Sequence, residues 1–294
     1  CYDAYMSFEK SYRKIASEVD EELHKLNKEI ENSFSEKTIL HTGIKEFLLA
    51  PSKRIRPVLA FLYLKACNIN ITDAHIKIQS IVELIHNASL IHDDVIDNGK
   101  LRRAKKTMNA VFNNRLAVIS GDYILSVTLQ KLTELNSIEL VKIFSTVIDN
   151  MCSGEIDQHF SRFHITGLEQ YIEKSYKKTG ALFEASIKAA LRLENLPPDN
   201  AEFAKLFGIA FQIRDDLLNV TRQDNSKENN DVAEGIYNAP VIFSGNAEHP
   251  EAGIEKTKSL LNNYIDRTKQ KLLKLDNNRY KSAIIELLDI LKNE

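Results

Sequence analysis

Residues 90–98 read LIHDDVIDN, and residues 211–219 read FQIRDDLLN. Each stretch sets oxygen-bearing side chains at positions i, i+1 and i+4 within apolar sequence. On an α-helix, positions i and i+4 lie on one face about a turn apart. Carboxylates held that close beside apolar neighbours repel each other and lose hydration, so they need a compensating cation. The two stretches therefore predict two apolar helices, each carrying an acidic half-site.

Divalent cations are the natural partners of these aspartates. Magnesium prefers oxygen ligands and usually completes its coordination with water and substrate phosphate. A single string of this kind arises by chance in about one chain in twenty and could mark an ordinary solvated helix. Two copies, accompanied by basic strings, are harder to obtain by chance. We interpret them as two half-sites for a metal-bound phosphate.

The composition indicates a large all-α protein. The chain has 294 residues, of which 43% are apolar, and this is enough for one substantial core. The sequence contains only 10 Gly and 6 Pro, so it has few residues that indicate turns. In long stretches the apolar residues recur at the spacing of a helix. We expect a single domain over residues 1–294.

Charge, cysteine use and hydropathy argue against several other classes of protein. A formal net charge of -2 gives no general reason to bind nucleic acid. The 3 cysteines are widely spaced and predict thiols in a reducing compartment, not a zinc site. No run of about 18 apolar residues is present, and residues 1–13 lack the apolar run of a secretion signal. We expect a soluble, cytoplasmic protein without a transmembrane segment.

Apolar periodicity predicts a series of helices. Asn98-Gly99 is a plausible stop for the helix of the first cluster, and Pro197 starts the helix of the second. The polar residues 221–235 predict a mobile loop, which is either a lid over the site or a plain solvated connection. The helix of the first cluster is predicted at residues 73–96. The other predicted helices span residues 8–30, 58–67, 116–135, 138–160, 168–193, 254–275 and 280–291.

Two basic strings accompany the acidic clusters. Lys53 and Arg56 are three residues apart and project similarly, and Arg102-Arg103 begins five residues after Asp97. Guanidinium groups offer paired planar donors that suit phosphate oxygens, and lysine supplies a point charge. A solvated surface is the alternative for each string alone, but the nearby acidic clusters favour diphosphate binding.

Five ordered strings carry a resemblance to a known family. They are KRIRPVL at 53–59, LIHDDVIDNGKLRR at 90–103, GDYIL at 121–125, YKKTGALF at 176–183 and FQIRDDLLNV at 211–220. In order and spacing, the chain resembles trans-isoprenyl diphosphate synthases over about residues 45–243, and in particular the medium- to long-chain type such as octaprenyl diphosphate synthases.

The resemblance implies a fold, an activity and an assembly. The expected fold is one all-α helical bundle around a deep central cavity, usually in a homodimer. The expected reaction elongates an allylic diphosphate, such as farnesyl or geranylgeranyl diphosphate, with isopentenyl diphosphate. The product would be a long-chain all-trans polyprenyl diphosphate, which could be delivered to a membrane.

The resemblance also assigns roles to residues. Three magnesium ions would hold the allylic diphosphate, with Asp93 and Asp97 on one wall and Asp215 on the other. The full metal set adds Asp94, Asp216 and Asn219. Isopentenyl diphosphate would bind Lys53, Arg56, His86 and Arg103. The allylic diphosphate would bind Arg102, Lys178, Thr179, Gln212 and Lys227, of which Lys178, Thr179 and Gln212 are also the catalytic set. Taken alone, His86 would be interpreted as an ordinary core or capping histidine.

The expected mechanism is ionisation, condensation and elimination. Magnesium stabilises the departing diphosphate, so the allylic carbon–oxygen bond can ionise without a protein nucleophile. The double bond of isopentenyl diphosphate then attacks, and loss of a proton regenerates an allylic product. Ala88 and Ser89, five and four residues before Asp93, are both small. The resemblance implies that they let the product grow long, and helical packing is the rival explanation for their size.

Several positions depart from the family pattern. Asn219 stands where the second cluster usually ends in Asp, and Ile236 replaces a common Lys. Ser52 replaces a Gly, Ala104 and Lys106 replace a Gly and a Pro, and residues 244–254 form a shortened stretch. These departures leave two alternatives open, a weakly active or non-catalytic partner subunit of a heteromeric synthase and a terpene cyclase. A cyclase would not need the four residues assigned to isopentenyl diphosphate.

Overall fold

The computed structural model describes residues 2–34, 38–102, 105–221 and 231–292, with the backbone alone for residues 2–7. Their regular secondary structure is almost entirely helical, so the predicted all-α fold class is confirmed. The helices are α1 Tyr2–Ala16, α2 Asp20–Asn32, α3 Ile39–Leu48, α4 Ile55–Ala66, α5 Asp73–Ile96, α6 Met108–Val111, α7 Asn114–Glu134, α8 Ile138–Phe160, α9 Leu168–Ser175, α10 Ala181–Leu193, α11 Glu202–Thr221, α12 Ala239–Ser244, α13 Ile254–Leu272 and α14 Arg279–Ile290.

The described residues group into two compact units. The first takes its residues from Cys1–Glu18, Leu62–Ile69 and Ile143–Glu294. The second takes its residues from Val19–Phe61 and Asn70–Lys142. The prediction of a single domain over residues 1–294 stays a prediction. None of the helices in the described ranges is long and apolar enough to span a bilayer.

The second unit is built around α5, which packs against α2 and α7. Apolar residues recur along the buried side of α5, including Ile78, Ile81 and Ile85. The contact with α7 is close at Gly121, where an added Cβ would lie 2.2 Å from the His92 ring. After α5, the strands β1 Leu101–Arg102 and β2 Lys105–Lys106 form a short antiparallel hairpin. This arrangement places the end of α5 beside the hairpin.

The first unit is built around α11, which packs against α10, α13 and a π-helical turn, Tyr176–Gly180. Phe183 on α10 and Phe207 on α11 have ring centroids 5.2 Å apart in its core. At Gly208, an added Cβ would lie only 2.6 Å from the Cα of Gly180. The two glycines therefore let the π-helical turn approach α11 closely.

The predicted helix boundaries hold in some places and differ in others. The helices predicted at 73–96 and 138–160 are confirmed to the residue. The helix predicted at 8–30 is divided by a 3-10 turn, Ser17–Val19, where the Ser17 hydroxyl donates to the Lys14 carbonyl at 2.7 Å. Such a bond competes with regular helix geometry. The helix predicted at 168–193 is interrupted by the π-helical turn.

Candidate active site

The first acidic cluster lies at the carboxyl end of α5. Asp97 donates its backbone N–H to the Asp93 carbonyl at 2.8 Å, so these two residues are one helical turn apart. Asp93 is partly exposed and Asp97 is exposed, whereas Asp94 points inward and is only 4% exposed. Asp93 and Asp97 are therefore the accessible carboxylates of this cluster.

Arg102 neutralises the buried Asp94. Its Nε donates to Asp94 Oδ1 at 2.9 Å and Oδ2 at 3.0 Å, and its Nη2 donates to Oδ1 at 2.8 Å. A planar guanidinium can make several such bonds to one carboxylate. The hairpin brings Arg102 back to α5, because Asn98 adopts φ 53° and reverses the chain. Arg102 was predicted to bind the allylic diphosphate, and in this structure it binds Asp94.

Three of the four residues predicted to bind isopentenyl diphosphate also belong to the second unit. Lys53 is half-buried, Arg56 is buried in the first turn of α4, and His86 is half-buried on α5. Arg103 lies outside the described residues. Between Lys53 and Arg56, Arg54 turns inward and pairs with Glu83 of α5 at 2.6 Å.

The predicted chain-length residues lie one to two turns before Asp93 on α5. Ala88 is only 1% exposed, so its methyl group is enclosed by its neighbours. Ser89 is half-buried, and its hydroxyl donates to the His86 carbonyl at 2.8 Å. Of the two, Ser89 is the more accessible. Their effect on product length stays a prediction.

The second acidic cluster lies on α11 of the first unit and contains one exposed and one buried aspartate. Asp215 is exposed, whereas Asp216 is only 4% exposed. The Tyr171 hydroxyl donates to Asp216 Oδ2 at 2.6 Å, and Gln212 Nε2 donates to Oδ1 at 2.9 Å. The Thr179 hydroxyl donates to Gln212 Oε1 at 2.6 Å. We call Tyr171, Asp216, Gln212 and Thr179 the Asp216 network.

Burial sets the protonation of this network. Desolvation raises the pKa of Asp216 from 3.8 to about 7, although the bonds from Tyr171 and Gln212 oppose the shift. Burial and the neighbouring Asp216 carboxylate raise the pKa of Tyr171 well above its usual value, so it remains a donor at neutral pH. Burial lowers the pKa of nearby Lys174, and the charge of Asp216 acts in the opposite direction.

Asn219 binds a further carboxylate next to the second cluster. Its Nδ2 donates to Asp231 Oδ2 at 3.1 Å. Burial raises the pKa of Asp231, and the bond from Asn219 opposes that shift. Asn219, which departs from the family pattern, therefore holds the carboxylate of Asp231 beside the second cluster. Lys227, predicted to bind the allylic diphosphate, lies outside the described residues, as does most of the predicted loop at 221–235.

Lys178 lies in the π-helical turn and pairs with Glu155 of α8, with 2.6 Å between Nζ and Oε2. Gln158 Nε2 donates to the other oxygen of Glu155 at 3.2 Å. Gly154 permits this packing, since an added Cβ would lie 2.9 Å from the Lys178 side chain. Glu155 therefore holds the Lys178 ammonium in place.

Sequence reasoning missed Tyr171, Glu155 and Asp231. Glu155 and Gln158 are three residues apart on a helix, so their shared face could have been noticed. Tyr171 lies seven residues before Lys178, about two helical turns, which is a weaker signal. Nothing in the local sequence connects Asp231 with Asn219, because the segment between them does not have a helical pattern.

The accessible carboxylates fit magnesium. Asp93, Asp97 and Asp215 present hard oxygen atoms, while Asp94 and Asp216 already accept hydrogen bonds from Arg102, Tyr171 and Gln212. Within the described ranges, no group of three or more His, Cys, Asp or Glu side chains forms a metal site by itself. Carboxylate oxygens of this kind are ligands that magnesium prefers, and magnesium completes its coordination with water and substrate phosphate.

Comparisons with solved structures define the fold class. The chain aligns with a decaprenyl diphosphate synthase from Rhodobacter capsulatus with TM-score 0.88 and 23% identity, covering 96% of this chain and 98% of that one. A polyprenyl synthase from Caulobacter crescentus, complexed with calcium and isoprenyl diphosphate, aligns with TM-score 0.86 and 22% identity over 96% and 98% of the two chains. The protein therefore has the all-α fold of isoprenoid synthases.

Sequence comparisons define the family. A family model described as Polyprenyl synthetase matches residues 37–276. A prenyl transferase from Synechocystis sp. is 38% identical over 70% of this chain and 67% of its own length. Solanesyl diphosphate synthase 1, chloroplastic, from Arabidopsis thaliana is 38% identical over 71% of this chain and 55% of its own length. The chain belongs to the polyprenyl synthetase family, which confirms the resemblance to prenyl diphosphate synthases.

A third relative extends the comparison to longer products. The decaprenyl-diphosphate synthase of Dictyostelium discoideum is 32% identical over 81% of this chain and 59% of its own length. The chain thus spans between about half and two thirds of the length of these three relatives. The names solanesyl and decaprenyl diphosphate synthase agree with the long-chain class predicted from the sequence.

Proposed function

We propose that the chain elongates an allylic prenyl diphosphate with isopentenyl diphosphate to a long-chain all-trans polyprenyl diphosphate. The observation that carries the proposal is the family match together with the two acidic clusters, which keep Asp93, Asp97 and Asp215 at the end of α5 and on α11. Relatives named solanesyl and decaprenyl diphosphate synthase support the long product. The matched relatives are prenyl-chain synthases, and this favours the synthase over a terpene cyclase.

Magnesium is the proposed metal. Asp93, Asp97 and Asp215 would hold it, three ions in all with the allylic diphosphate bound, and it would neutralise the departing diphosphate. Calcium accompanies isoprenyl diphosphate in the Caulobacter crescentus structure, which supports a hard divalent cation. Asp94, Asp216 and Asn219 would support the ligands, because each is held by hydrogen bonds inside its unit.

The chain's own residues would bind and orient the substrates. Lys178 is fixed by Glu155 and would bind the allylic diphosphate, with Thr179 and Gln212 near the carbon that becomes cationic. Their oxygen dipoles would favour positive charge at that carbon. Lys53, Arg56, His86 and Arg103 would bind isopentenyl diphosphate, and Arg102 and Lys227 would add charge to the allylic diphosphate.

A homodimer is the proposed assembly. Exposed apolar side chains recur along α7, namely Val118 at 42%, Ile119 at 48% and Leu129 at 57% exposure. A surface of this kind suits contact with another protein chain. Sedimentation of the purified protein should give twice the mass of one chain, and Ile119→Lys should shift the protein toward the single-chain mass.

The activity test uses the purified chain alone. It is incubated with Mg²⁺, labelled isopentenyl diphosphate and farnesyl diphosphate, and the dephosphorylated product is separated by chromatography. We expect a long polyprenol, and we expect Asp93→Asn to lower kcat/KM at least about 100-fold. The matched control is Asp149→Asn, since Asp149 is an exposed aspartate on α8. An inactive wild-type chain that restores activity to a second subunit would favour the partner-subunit alternative, which Asn219 and Ile236 motivate.

A further inference from the structure

We propose that Tyr171 is a positioning residue, which acts through the Asp216 network to direct the lone pairs of the Thr179 hydroxyl toward the carbon that becomes cationic. The inference rests on the proposed function. Tyr171 is only 1% exposed and does not itself reach the surface of the unit. Its influence has to pass through Asp216 and Gln212.

The network has a fixed direction. Both oxygens of Asp216 accept hydrogen bonds, from the Tyr171 hydroxyl at 2.6 Å and from Gln212 Nε2 at 2.9 Å. An ionised Asp216 can only accept, so the carboxamide of Gln212 then presents its nitrogen to Asp216 and its oxygen to Thr179. An amide oxygen can only accept, so the hydroxyl proton of Thr179 points to Gln212 at 2.6 Å.

This direction fixes the dipole of the Thr179 hydroxyl. Since the proton is committed to Gln212, the lone pairs of the oxygen face away from it. An oxygen oriented in advance stabilises developing positive charge without reorganisation during the reaction. A reversed Gln212 amide would instead donate to Thr179 and turn the hydroxyl proton outward, toward the substrate. Tyr171 helps to prevent that reversal by holding the second oxygen of Asp216.

The backbone keeps the network short. Gly180 follows Thr179 directly, and its Cα would lie 2.6 Å from a Cβ added at Gly208 on α11. The π-helical turn can therefore approach α11 closely enough for the 2.6 Å bond between Thr179 and Gln212. The exposed fraction is 1% at Tyr171 and 4% at Asp216, Gln212 is half-buried, and Thr179 is 9% exposed.

The test compares the binding of two probes by calorimetry. One is an ammonium analogue of the allylic diphosphate, with charged nitrogen at the reacting position, and the other is its neutral carbon counterpart. Both carry the same diphosphate and need the same Mg²⁺, so their affinity ratio reports only the response to positive charge. We expect Tyr171→Phe to lower this ratio about tenfold, because one positioned hydrogen bond is lost. We also expect kcat to fall about tenfold while KM stays within about twofold.

Two controls separate positioning from a structural role. Tyr176→Phe is the matched control, because the Tyr176 hydroxyl donates to a carboxylate outside the network, Glu184 Oε2, at 2.7 Å. It should leave the affinity ratio unchanged. In a Thr179→Val background, Tyr171→Phe should have little further effect on the ratio, since the two residues act in series.

The outcomes distinguish the inference from the proposed function. A wild-type chain without prenyl transfer would contradict the proposed function. If the wild type is active but Tyr171→Phe leaves the affinity ratio unchanged, only the inference is overturned. The same holds if Tyr171→Phe lowers the affinity ratio equally in the wild-type and Thr179→Val backgrounds. If Tyr171→Phe does not fold, Asp216→Asn replaces it. An asparagine there can donate to Gln212 Oε1 and reverse the amide, so the ratio should again fall at least about tenfold.

Discussion

Arg54 Nη1 lies 2.6 Å from Glu83 Oε2, and both side chains are more than nine-tenths buried. Arg54 Nη2 also donates to the Leu48 carbonyl at 2.5 Å. The backbone of Arg54 has φ 48°, a left-handed conformation that a non-glycine residue rarely adopts. The ion pair thus attaches the basic string to α5 one turn before His86, within the second unit.

Removing one partner of this ion pair should be costly. Arg54→Met leaves the Glu83 carboxylate buried without its counter-charge, and we expect a loss of about 3–5 kcal/mol in the free energy of unfolding. The double variant Arg54→Met/Glu83→Leu removes both charges and should recover most of that loss. Urea unfolding of the three proteins measures both effects. A double variant that is no more stable than Arg54→Met would contradict the explanation.

The close approach of Gly180 and Gly208 gives a second prediction. Gly208→Ala would place a methyl group 2.6 Å from the Gly180 Cα, and backbone cannot move aside as a flexible side chain can. We expect a loss of about 2 kcal/mol in stability and a lower kcat, because the Thr179–Gln212 bond is lengthened. Gly167→Ala is the matched control, since an added Cβ there meets nothing within 4 Å. Equal stability of the two variants would argue against a tight contact.

Much of the fold could be predicted from the sequence, because several elements are determined locally. The helix at 73–96 has a continuous apolar pattern, a Thr72 cap at its start and Asn98 just after its end. The family followed from five ordered strings and is confirmed by the comparisons, whereas the reaction class stays a proposal.

The features of the fold that could not be predicted depend on contacts between segments that are distant in sequence. The π-helical turn at 176–180 is not visible in the sequence pattern, because packing of Gly180 against Gly208 determines it. The strands Leu101–Arg102 and Lys105–Lys106 have only two residues each, too few to show the alternation of apolar and polar side chains that predicts a strand. Both features place residues of the candidate site.

The structure was also needed to show which aspartates of each acidic cluster are buried and which residues bind them. Positions i and i+4 share a face, so the inward direction of Asp94 and Asp216 at i+1 agrees with helix geometry. Their partners could not be predicted, because Arg102 returns through a hairpin and Tyr171 belongs to another helix. The roles assigned to individual site residues stay predictions.

Ser89 should influence product length. It is half-buried on α5, one turn before Asp93, whereas Ala88 is enclosed. We expect Ser89→Phe to shorten the polyprenol, because a bulky ring would obstruct a growing apolar tail. Chromatography of the dephosphorylated products measures the change. Ser126→Phe is the control, since Ser126 is exposed on α7. An unchanged product from Ser89→Phe would leave helical packing as the reason for a small residue there.

The buried Asp216 should make stability depend on pH in the metal-free protein. Burial raises its pKa from 3.8 to about 7, so the folded state retains a proton that the unfolded chain releases. The stabilising effect is complete below pH 3.8 and is lost as the pH rises to about 7. The contribution of Asp216 to the free energy of unfolding should therefore decrease with pH across this window.

Asp216→Asn isolates this contribution, because an amide does not titrate. We expect the difference in unfolding free energy between wild type and variant to favour the wild type most near pH 4 and to shrink toward pH 7. Asp231, whose pKa burial also raises, remains in both proteins and cancels in the comparison. Urea unfolding with a chelator present, at several pH values, measures the difference, and Asp149→Asn supplies an exposed control. Parallel pH curves for wild type and Asp216→Asn would show that burial does not hold the proton on Asp216.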